Sequence, residues 1–75
     1  MNIKVIAFGQ IAEIAGKEFT VDVKDLNELK TTLIHQFPIL AEKKYAIAVN
    51  QKLVNENYIF AIKDTIALMP PYSGG

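Results

Sequence analysis

One well-bounded helical segment lies among short strand-forming runs, and this pattern restricts the possible folds more than any other feature. Asp25 can cap the helix with its side chain, and Glu28, three residues later, completes a capping box. Large apolar residues then recur at intervals of three and four, which gives one apolar stripe: Leu26, Leu29, Leu33 and Phe37. Pro38 disfavours the helical conformation of the residue before it. We therefore expect one main helix, from about Leu26 to Gln36.

The rest of the chain has the apolar runs and the alternation typical of β-strands. Strands are predicted at residues 3–8, 18–23, 45–49, 52–54 and 65–69. Between the first two strands, we expect a loop with a short helical turn that Gly16 closes. A sheet covered on one face by one main helix is an α+β fold. The order of elements fits the β-grasp (ubiquitin-like) architecture, in which the first and last strands lie side by side in the middle of a mixed sheet.

Strand alternation assigns the apolar side chains to two faces of this sheet. The core side is expected to contain Ile3, Val5, Ala7, Ile66 and Leu68. The opposite, outer side is expected to contain Ile6, Phe8, Leu53, Ala67 and Met69. Burial is also expected for four residues before the last strand: Tyr58, Ile59, Phe60 and Ile62. An apolar outer side on a small domain favours a partner surface, and packing beneath loops is the alternative.

The segment after the last strand, PPYSGG, suits the delivery of a carboxyl group to another protein. Pro70 and Pro71 fix their own φ angles, cannot donate to a sheet ladder and favour an extended exit. Gly74 and Gly75 have no side chains and can pass through a narrow tunnel. We expect residues 70–75 to form an extended, flexible tail. A simple frayed terminus is the alternative.

The chemistry of such a tail depends on activation of its carboxyl group. A terminal carboxylate has a pKa of about 3.3–3.7, so it is ionised and a poor electrophile at neutral pH. Conversion to an acyl-adenylate would supply a leaving group. A sulfur donor could then form a thiocarboxylate, and an amine could form an isopeptide bond, so both chemistries stay open at this point.

Composition argues against several other classes of function. The chain has no cysteine and a single histidine, His35, so we expect no metal site. Eight basic and eight acidic residues cancel and are scattered, so we expect no nucleic-acid partner. Every apolar run is far shorter than the ~20 residues of a membrane span. The first residues, MNIKVIAFG, already have a strand pattern, so we expect no secretory signal there. We expect a single cytoplasmic domain, residues 1–75, that does not bind a membrane.

Three segments carry a family resemblance: IKVIAFGQIAEIAG, AVNQKLV and DTIALMPPYSGG. Together they resemble the small subunit of molybdopterin synthase, the MoaD-like branch of the MoaD/ThiS sulfur-carrier β-grasp family. Thiazole-forming carriers that resemble ThiS share the fold and the Gly-Gly end but usually lack the Pro-Pro pair. Two positions depart from the pattern. Ala12 stands where the family often has Arg, which puts an ion pair in doubt, and Lys63 stands where it often has Gly, which puts a turn at positive φ in doubt.

The resemblance implies a sulfur-donating subunit that is not an enzyme by itself. An adenylating enzyme (MoeB-like) would use ATP to activate Gly75, which Gly74 precedes, and a thiocarboxylate would follow. The tail would enter the large subunit of the synthase (MoaE-like), in a heterotetramer, and give sulfur to a cyclic pyranopterin. No bound cofactor is implied. The residues expected at the partner are Phe8, Leu53, Met69, Pro70, Pro71, Tyr72 and Ser73.

Three other functions stay open from the sequence. The first is a ThiS-like carrier for thiazole and thiamine synthesis, and the second is a ubiquitin-like modifier joined to lysines. The third is a binding module with an inert tail.

Overall fold

The structure, a computed structural model, describes residues 2–54 and 56–70. Its elements are β1 (Asn2–Ala7), α1 (Gly9–Ala15), β2 (Glu18–Asp22), α2 (Leu26–Gln36), a 3-10 helix (Pro38–Glu42), β3 (Ala46–Val49), β4 (Lys52–Leu53) and β5 (Thr65–Met69). The predicted order of strands and main helix is confirmed. The expected turn before Gly16 is a seven-residue helix, and the 3-10 helix has no counterpart in the sequence prediction.

The strands form one mixed sheet in the order β2-β1-β5-β3-β4. β1 and β5 are parallel neighbours, whereas β1–β2, β3–β5 and β3–β4 are antiparallel pairs. The first and last strands therefore lie side by side inside the sheet. This arrangement confirms the predicted α+β, β-grasp fold.

Helix α2 begins and ends where its sequence signals predict. The Glu28 backbone N–H donates to Asp25 Oδ1 at 2.8 Å, which makes Asp25 the N-cap. Glu28 Oε1 accepts from the backbone N–H of Lys24 at 3.1 Å, so the capping box reaches one residue further back than its usual form. Phe37 leaves the helical conformation immediately before Pro38. Both boundaries therefore follow from local side chains.

The core lies between one face of the sheet and the helices. All the expected core residues of β1 and β5 are buried: Ile3, Val5, Ala7, Ile66 and Leu68. The helical segments contribute Ile11, Leu26, Leu29, Leu33 and Leu40. Because the core uses one face of the sheet, the other face is free to serve another purpose.

The connection between β4 and β5 departs from the predicted burial of its apolar residues. Phe60 is buried, but Ile59 and Ile62 are 78% and 73% exposed, and Tyr58 is also exposed. The Phe60 N–H donates to the carbonyl of Lys24 at 2.9 Å, which ties the connection to the chain before α2. Extended backbone alternates its side chains, so Phe60 turns inward and its neighbour Ile59 turns outward. The predicted burial was wrong for Ile59, Ile62 and Tyr58.

Candidate partner-docking face and tail base

A continuous apolar row crosses four strands on the side of the sheet opposite the core. Ile6 of β1 pairs with Ala67 of β5. Ala48 of β3 pairs with Ala67 on one side and with Leu53 of β4 on the other. Side chains at directly paired positions point to the same face of a sheet. The four residues therefore form one row across the sheet.

A second apolar row lies beside the first, at the carboxyl end of β5. Met69 pairs with Ala46 of β3. Phe8 has extended backbone, with φ −129° and ψ 156°, and its N–H donates to the carbonyl of Leu68 at 2.9 Å. Phe8 thus continues the register of β1 and β5 and lies beside Met69. We call the two rows together the outer apolar face: Ile6, Phe8, Ala46, Ala48, Leu53, Ala67 and Met69.

Side-chain size gives the outer apolar face its shape. Ala48, near its centre, is only 3% exposed, whereas Phe8 is 49% and Leu53 is 71% exposed. The two large side chains lie on either side of the small residues, Leu53 on β4 and Phe8 immediately after β1. The predicted placement of Phe8, Leu53 and Met69 on one side of the sheet is confirmed by the strand register. Their expected contact with a partner stays a prediction.

Polar groups border the outer apolar face along β1 and β2. Lys4 Nζ lies 3.6 Å from Glu18 Oε2, and both side chains are largely exposed. Glu18 pairs directly with Ile6 of the face. An exposed ion pair contributes little to folding stability, but a polar rim around an apolar centre is the usual anatomy of a protein interface. Tyr45, immediately before β3, packs instead against the core, and burial raises the pKa of its hydroxyl.

The base of the tail rests on the start of α1. Gly9 has a φ of +58°, and a Cβ added to it would lie 2.6 Å from Cγ of Pro70. Carbon atoms do not approach so closely, so this contact requires a residue without a side chain. Gly9 was not predicted from the sequence, because the contact joins residues near opposite ends of the chain and leaves no local signal. Of the predicted tail, Pro70 lies within the structure, and Pro71, Tyr72, Ser73, Gly74 and Gly75 lie outside the described residues.

A two-residue turn in the AVNQKLV segment joins β3 and β4. Asn50 and Gln51 have φ angles of +50° and +72°, as the central residues of a type I′ hairpin turn require. Asn50 Nδ2 donates to Asp64 Oδ1 at 2.7 Å, and Asn50 Oδ1 accepts from the Thr65 N–H at 2.9 Å. The second Asp64 oxygen accepts from the Ala61 N–H at 2.8 Å. The network attaches the turn, and hence the strand that carries Leu53, to the start of β5.

The two departures from the family pattern have different consequences. Within residues 2–54 and 56–70, Asn50 and Gln51 are the non-glycine residues with positive φ. Lys63 therefore has no positive φ, and the expected steric cost at this turn is absent. Ala12 packs against the core from α1.

Two further expectations concern metals and membranes. Among the described parts of the chain, no three His, Asp or Glu side chains come together in a group that could hold a metal ion. No helix in those same segments has the length and apolar character needed to cross a membrane.

The topology of the sheet and its helices defines a small, ubiquitin-like β-grasp protein, and an apolar face lies at the end of its last strand. The chain belongs to the ThiS family, whose sequence model matches residues 5–75. It is therefore a small protein of the ThiS/MoaD class, which comprises sulfur carriers and ubiquitin-like modifiers. The predicted membership of the MoaD/ThiS family is confirmed at this level.

Solved structures support the same assignment. One of them is the protein–protein complex of subunits 1 and 2 of the molybdopterin-converting factor from Helicobacter pylori 26695. A chain of that complex is 31% identical to this chain, with a TM-score of 0.77 and full coverage of both chains. SAMP1 from Haloferax volcanii has 22% identity, a TM-score of 0.80 and full coverage of both chains. Small archaeal modifier protein 1 from Methanosarcina acetivorans has 20% identity and a TM-score of 0.80, with 99% of this chain and 96% of that chain covered. The two archaeal structures show similarity of fold alone.

Proposed function

We propose that this chain is the small, sulfur-donating subunit of a molybdopterin synthase in the cytoplasm. The observation that carries the proposal is the position of the outer apolar face directly beside the base of the tail. Met69 and Phe8 both belong to the face and lie side by side, and Pro70 follows Met69 in the chain. Further support comes from the 31% identity to a chain from a complex of molybdopterin-converting factor subunits, and from the Pro70–Pro71 pair.

The face and the tail divide the work of docking and delivery. Covering the outer apolar face with a large subunit (MoaE-like) removes apolar area from water. The favourable free energy of this burial is about 25 cal/mol per Å² of apolar surface. Residues 70–75 reach roughly 20 Å when extended. Docking on the face therefore brings the carboxyl group of Gly75 within reach of a cavity in the same partner. Delivery then becomes an intramolecular step, which raises the effective concentration of the reacting group.

The proposed loading reaction takes place at Gly75. In an adenylating enzyme (MoeB-like), a carboxylate oxygen of Gly75 attacks the α-phosphorus of ATP, and pyrophosphate leaves. A reduced sulfur donor then attacks the acyl carbon, AMP leaves, and a thiocarboxylate remains. Gly74 and Gly75 lack side chains, so the adenylating enzyme and the large subunit can each enclose the reacting end closely.

The proposed delivery reaction takes place in the large subunit. The thiocarboxylate sulfur would attack a carbon of the cyclic pyranopterin and displace an oxygen substituent, which leaves the chain joined to the pterin as a thioester. Water would then cleave the acyl–sulfur bond, so that the sulfur stays on the pterin and the carboxylate of Gly75 returns. We assign Phe8, Leu53 and Met69 to the docking surface. The remaining tail residues, Pro70, Pro71, Tyr72 and Ser73, would line the entrance to the cavity. General acids and bases would come from the partner.

A carrier for thiazole synthesis is the second candidate, because the family model that matches this chain is that of ThiS. Both candidates require the same thiocarboxylate and differ in the protein that receives it. Attachment to lysines as a modifier uses the same adenylate but an amine in place of sulfur. The three functions therefore share adenylation and differ in the steps after it.

The intact mass of the chain tests the loading step. Incubation with the adenylating enzyme, ATP and a sulfur donor should replace one oxygen by one sulfur. A chain that lacks Gly75 should keep its original mass. It should also keep nearly the same melting temperature, since glycine has no side chain to bury in the core. An unchanged mass for the full chain would contradict both carrier functions.

The acceptor protein separates the two carriers. The thiocarboxylated chain should yield molybdopterin with a molybdopterin synthase large subunit and a cyclic pyranopterin. It should yield no thiazole with a thiazole synthase and its substrates. The reverse result would establish the second candidate and reject the first.

A further inference from the structure

We propose that a cleft beside Phe8 receives one large apolar side chain of the large subunit, and that Ala12 determines whether this side chain fits. The inference rests on the proposed function, because the large subunit of the synthase is the partner. It adds a contact site to the outer apolar face and assigns a specificity-determining role to Ala12, which lies outside that face.

The cleft lies where the end of β1, helix α1 and the start of β2 meet. It has a volume of about 350 Å³, and its lining includes Ile6, Phe8, Ala12, Lys17 and Glu18. Clefts that bind small ligands start at about 300 Å³. The cleft, which we call the Phe8 cleft, therefore has room for a large side chain.

Two backbone hydrogen bonds hold the walls of the Phe8 cleft together. The Ala12 N–H donates to the carbonyl of Phe8 at 3.3 Å, which places Ala12 one helical turn after Phe8. The Ala7 N–H donates to the carbonyl of Lys17 at 2.9 Å, which fixes the start of β2 opposite the end of β1. The cleft is thus formed by the fold itself, within residues that the structure describes.

The lining of the Phe8 cleft favours an apolar occupant. Ile6, Phe8 and Ala12 supply apolar walls, and water that contacts these walls is released when an apolar group replaces it. The two charged residues, Lys17 and Glu18, are exposed and carry opposite charges. A charged occupant would lose its water in the cleft without a net charge to compensate it.

The Phe8 cleft is continuous with the outer apolar face, because Ile6 and Phe8 belong to both. In the sheet, β5 with Met69 lies on one side of β1, and β2 lies on the other. Phe8 is 49% exposed. A partner that covers only the outer apolar face would leave the side of Phe8 toward β2 in water, and a side chain in the cleft would complete its burial. Interface residues that contribute most to affinity occupy such desolvated pockets.

The base of the tail adjoins the same cleft. Gly9 also lines the cleft, and a Cβ added to Gly9 would lie 2.6 Å from Cγ of Pro70. A protein that receives the chain beyond Pro70 therefore comes close to the cleft. This position favours the large subunit as the source of the occupant.

Ala12 limits the size of the occupant. Its side chain is a half-buried methyl group that lines the cleft. A longer side chain at residue 12 would extend into the space that the side chain of the partner needs. The identity of residue 12 therefore selects among large subunits without any change in the outer apolar face.

The test fills the Phe8 cleft chemically in a chain that is already folded. The sequence has no cysteine, so Ala12→Cys introduces a single thiol. Before modification, calorimetry should give a Kd for the large subunit within about twofold of wild type, because the substitution adds one atom. Iodoacetamide then alkylates the thiolate, which displaces iodide, and the added group occupies the cleft. The Kd should rise by about 10-fold or more.

Ala15→Cys provides the matched control. Ala15 is a half-buried alanine of the same helix, and it is not part of the cleft lining. Alkylation of this variant should change the Kd by less than about twofold. Circular dichroism before and after alkylation checks that both variants stay folded.

A second measurement does not require the alkylated chain to bind or fold. The rate of alkylation of each variant is followed by intact mass, with and without a saturating amount of the large subunit. Bound large subunit should slow alkylation of Ala12→Cys by about 10-fold or more, since the occupant excludes the reagent. It should slow alkylation of Ala15→Cys by less than about twofold.

Two results would overturn the inference. One is equal affinity of Ala12→Cys for the large subunit before and after alkylation, and the other is protection of its thiol by the adenylating enzyme but not by the large subunit. If the wild-type chain does not bind the large subunit at all, the proposed function fails and the inference fails with it. If the wild-type chain binds and the thiol at residue 12 stays as reactive as in the free chain, only the inference fails.

Discussion

At the residue scale, Asp64 shows how one buried side chain determines the geometry next to the outer apolar face. Asp64 is 8% exposed, and each of its oxygens accepts a hydrogen bond, one from Asn50 and one from the Ala61 N–H. A carboxylate has an acceptor oxygen on each of its two arms, whereas an amide has an oxygen on one arm and an NH₂ donor on the other. Both oxygens of Asp64 are therefore used.

Asp64→Asn tests this arrangement. One arm of the new amide must point an NH₂ group at a donor, so the free energy of unfolding should fall by about 1–3 kcal/mol. Urea denaturation measures the loss. Glu13→Gln makes the same acid-to-amide change on the exposed surface of α1 and should cost less than about 0.5 kcal/mol. Equal stability of the two variants would show that the Asp64 hydrogen bonds do not matter.

At the element scale, α2 is set by its ends as well as by its apolar stripe. Asp25 Oδ1 accepts the Glu28 N–H at 2.8 Å, which satisfies one of the four unpaired N–H groups at a helix start. Leu26, Leu29 and Leu33 are then buried against the sheet. The cap and the stripe together place the helix on the core side, which leaves the outer apolar face uncovered.

Asp25→Ala removes the cap and should lower the free energy of unfolding by about 1 kcal/mol. Asp25→Asn keeps an oxygen that can accept the same hydrogen bond, so it should retain most of the stability. Thermal and urea unfolding of the three chains would check this order. A loss as large for Asn as for Ala would mean that the carboxylate charge, and not the hydrogen bond, is what stabilises the helix start.

Local sequence patterns predicted the helix and the strands. The features that these patterns did not predict depend on contacts between residues far apart in the chain. The ends of α2 and the two faces of β5 follow from caps and from a period of two, both of which are written in neighbouring residues. The close contact of Gly9 with Pro70 depends on the β1–β5 pairing, which brings these two distant residues together. Ile59 was misassigned because apolar character alone does not reveal which way the backbone turns a side chain.

At the scale of the whole molecule, the sheet uses one face for the core and leaves the other face for the proposed docking. Its core face is sealed by the helices, and its outer apolar face carries Phe8, Leu53 and Met69 next to the tail base. Leu53 is 71% exposed, so little folding energy depends on it. In the proposed function, a change at Leu53 can therefore alter partner binding with little loss of folding stability.

Leu53→Lys tests the outer apolar face as the docking surface. Placing a charge there should weaken binding to the large subunit about 10-fold, the scale of an interface residue worth more than 1 kcal/mol, as measured by calorimetry. Ile59→Lys places the same charge at a residue that is 78% exposed. The backbone of Ile59 forms an isolated β-bridge with Asp25, just before α2. This variant should bind like wild type. Equal weakening by the two variants would assign docking to some other surface or to net charge.

The most direct test of the account traces the sulfur atom itself. The chain is loaded with isotopically labelled sulfur by the adenylating enzyme and ATP, purified, and mixed with the large subunit and a cyclic pyranopterin. We expect the label to appear in the pterin while the chain returns to its unmodified mass. Label that stays on the chain in the presence of both the large subunit and the pterin, or a chain that becomes joined to lysines instead, would contradict the account.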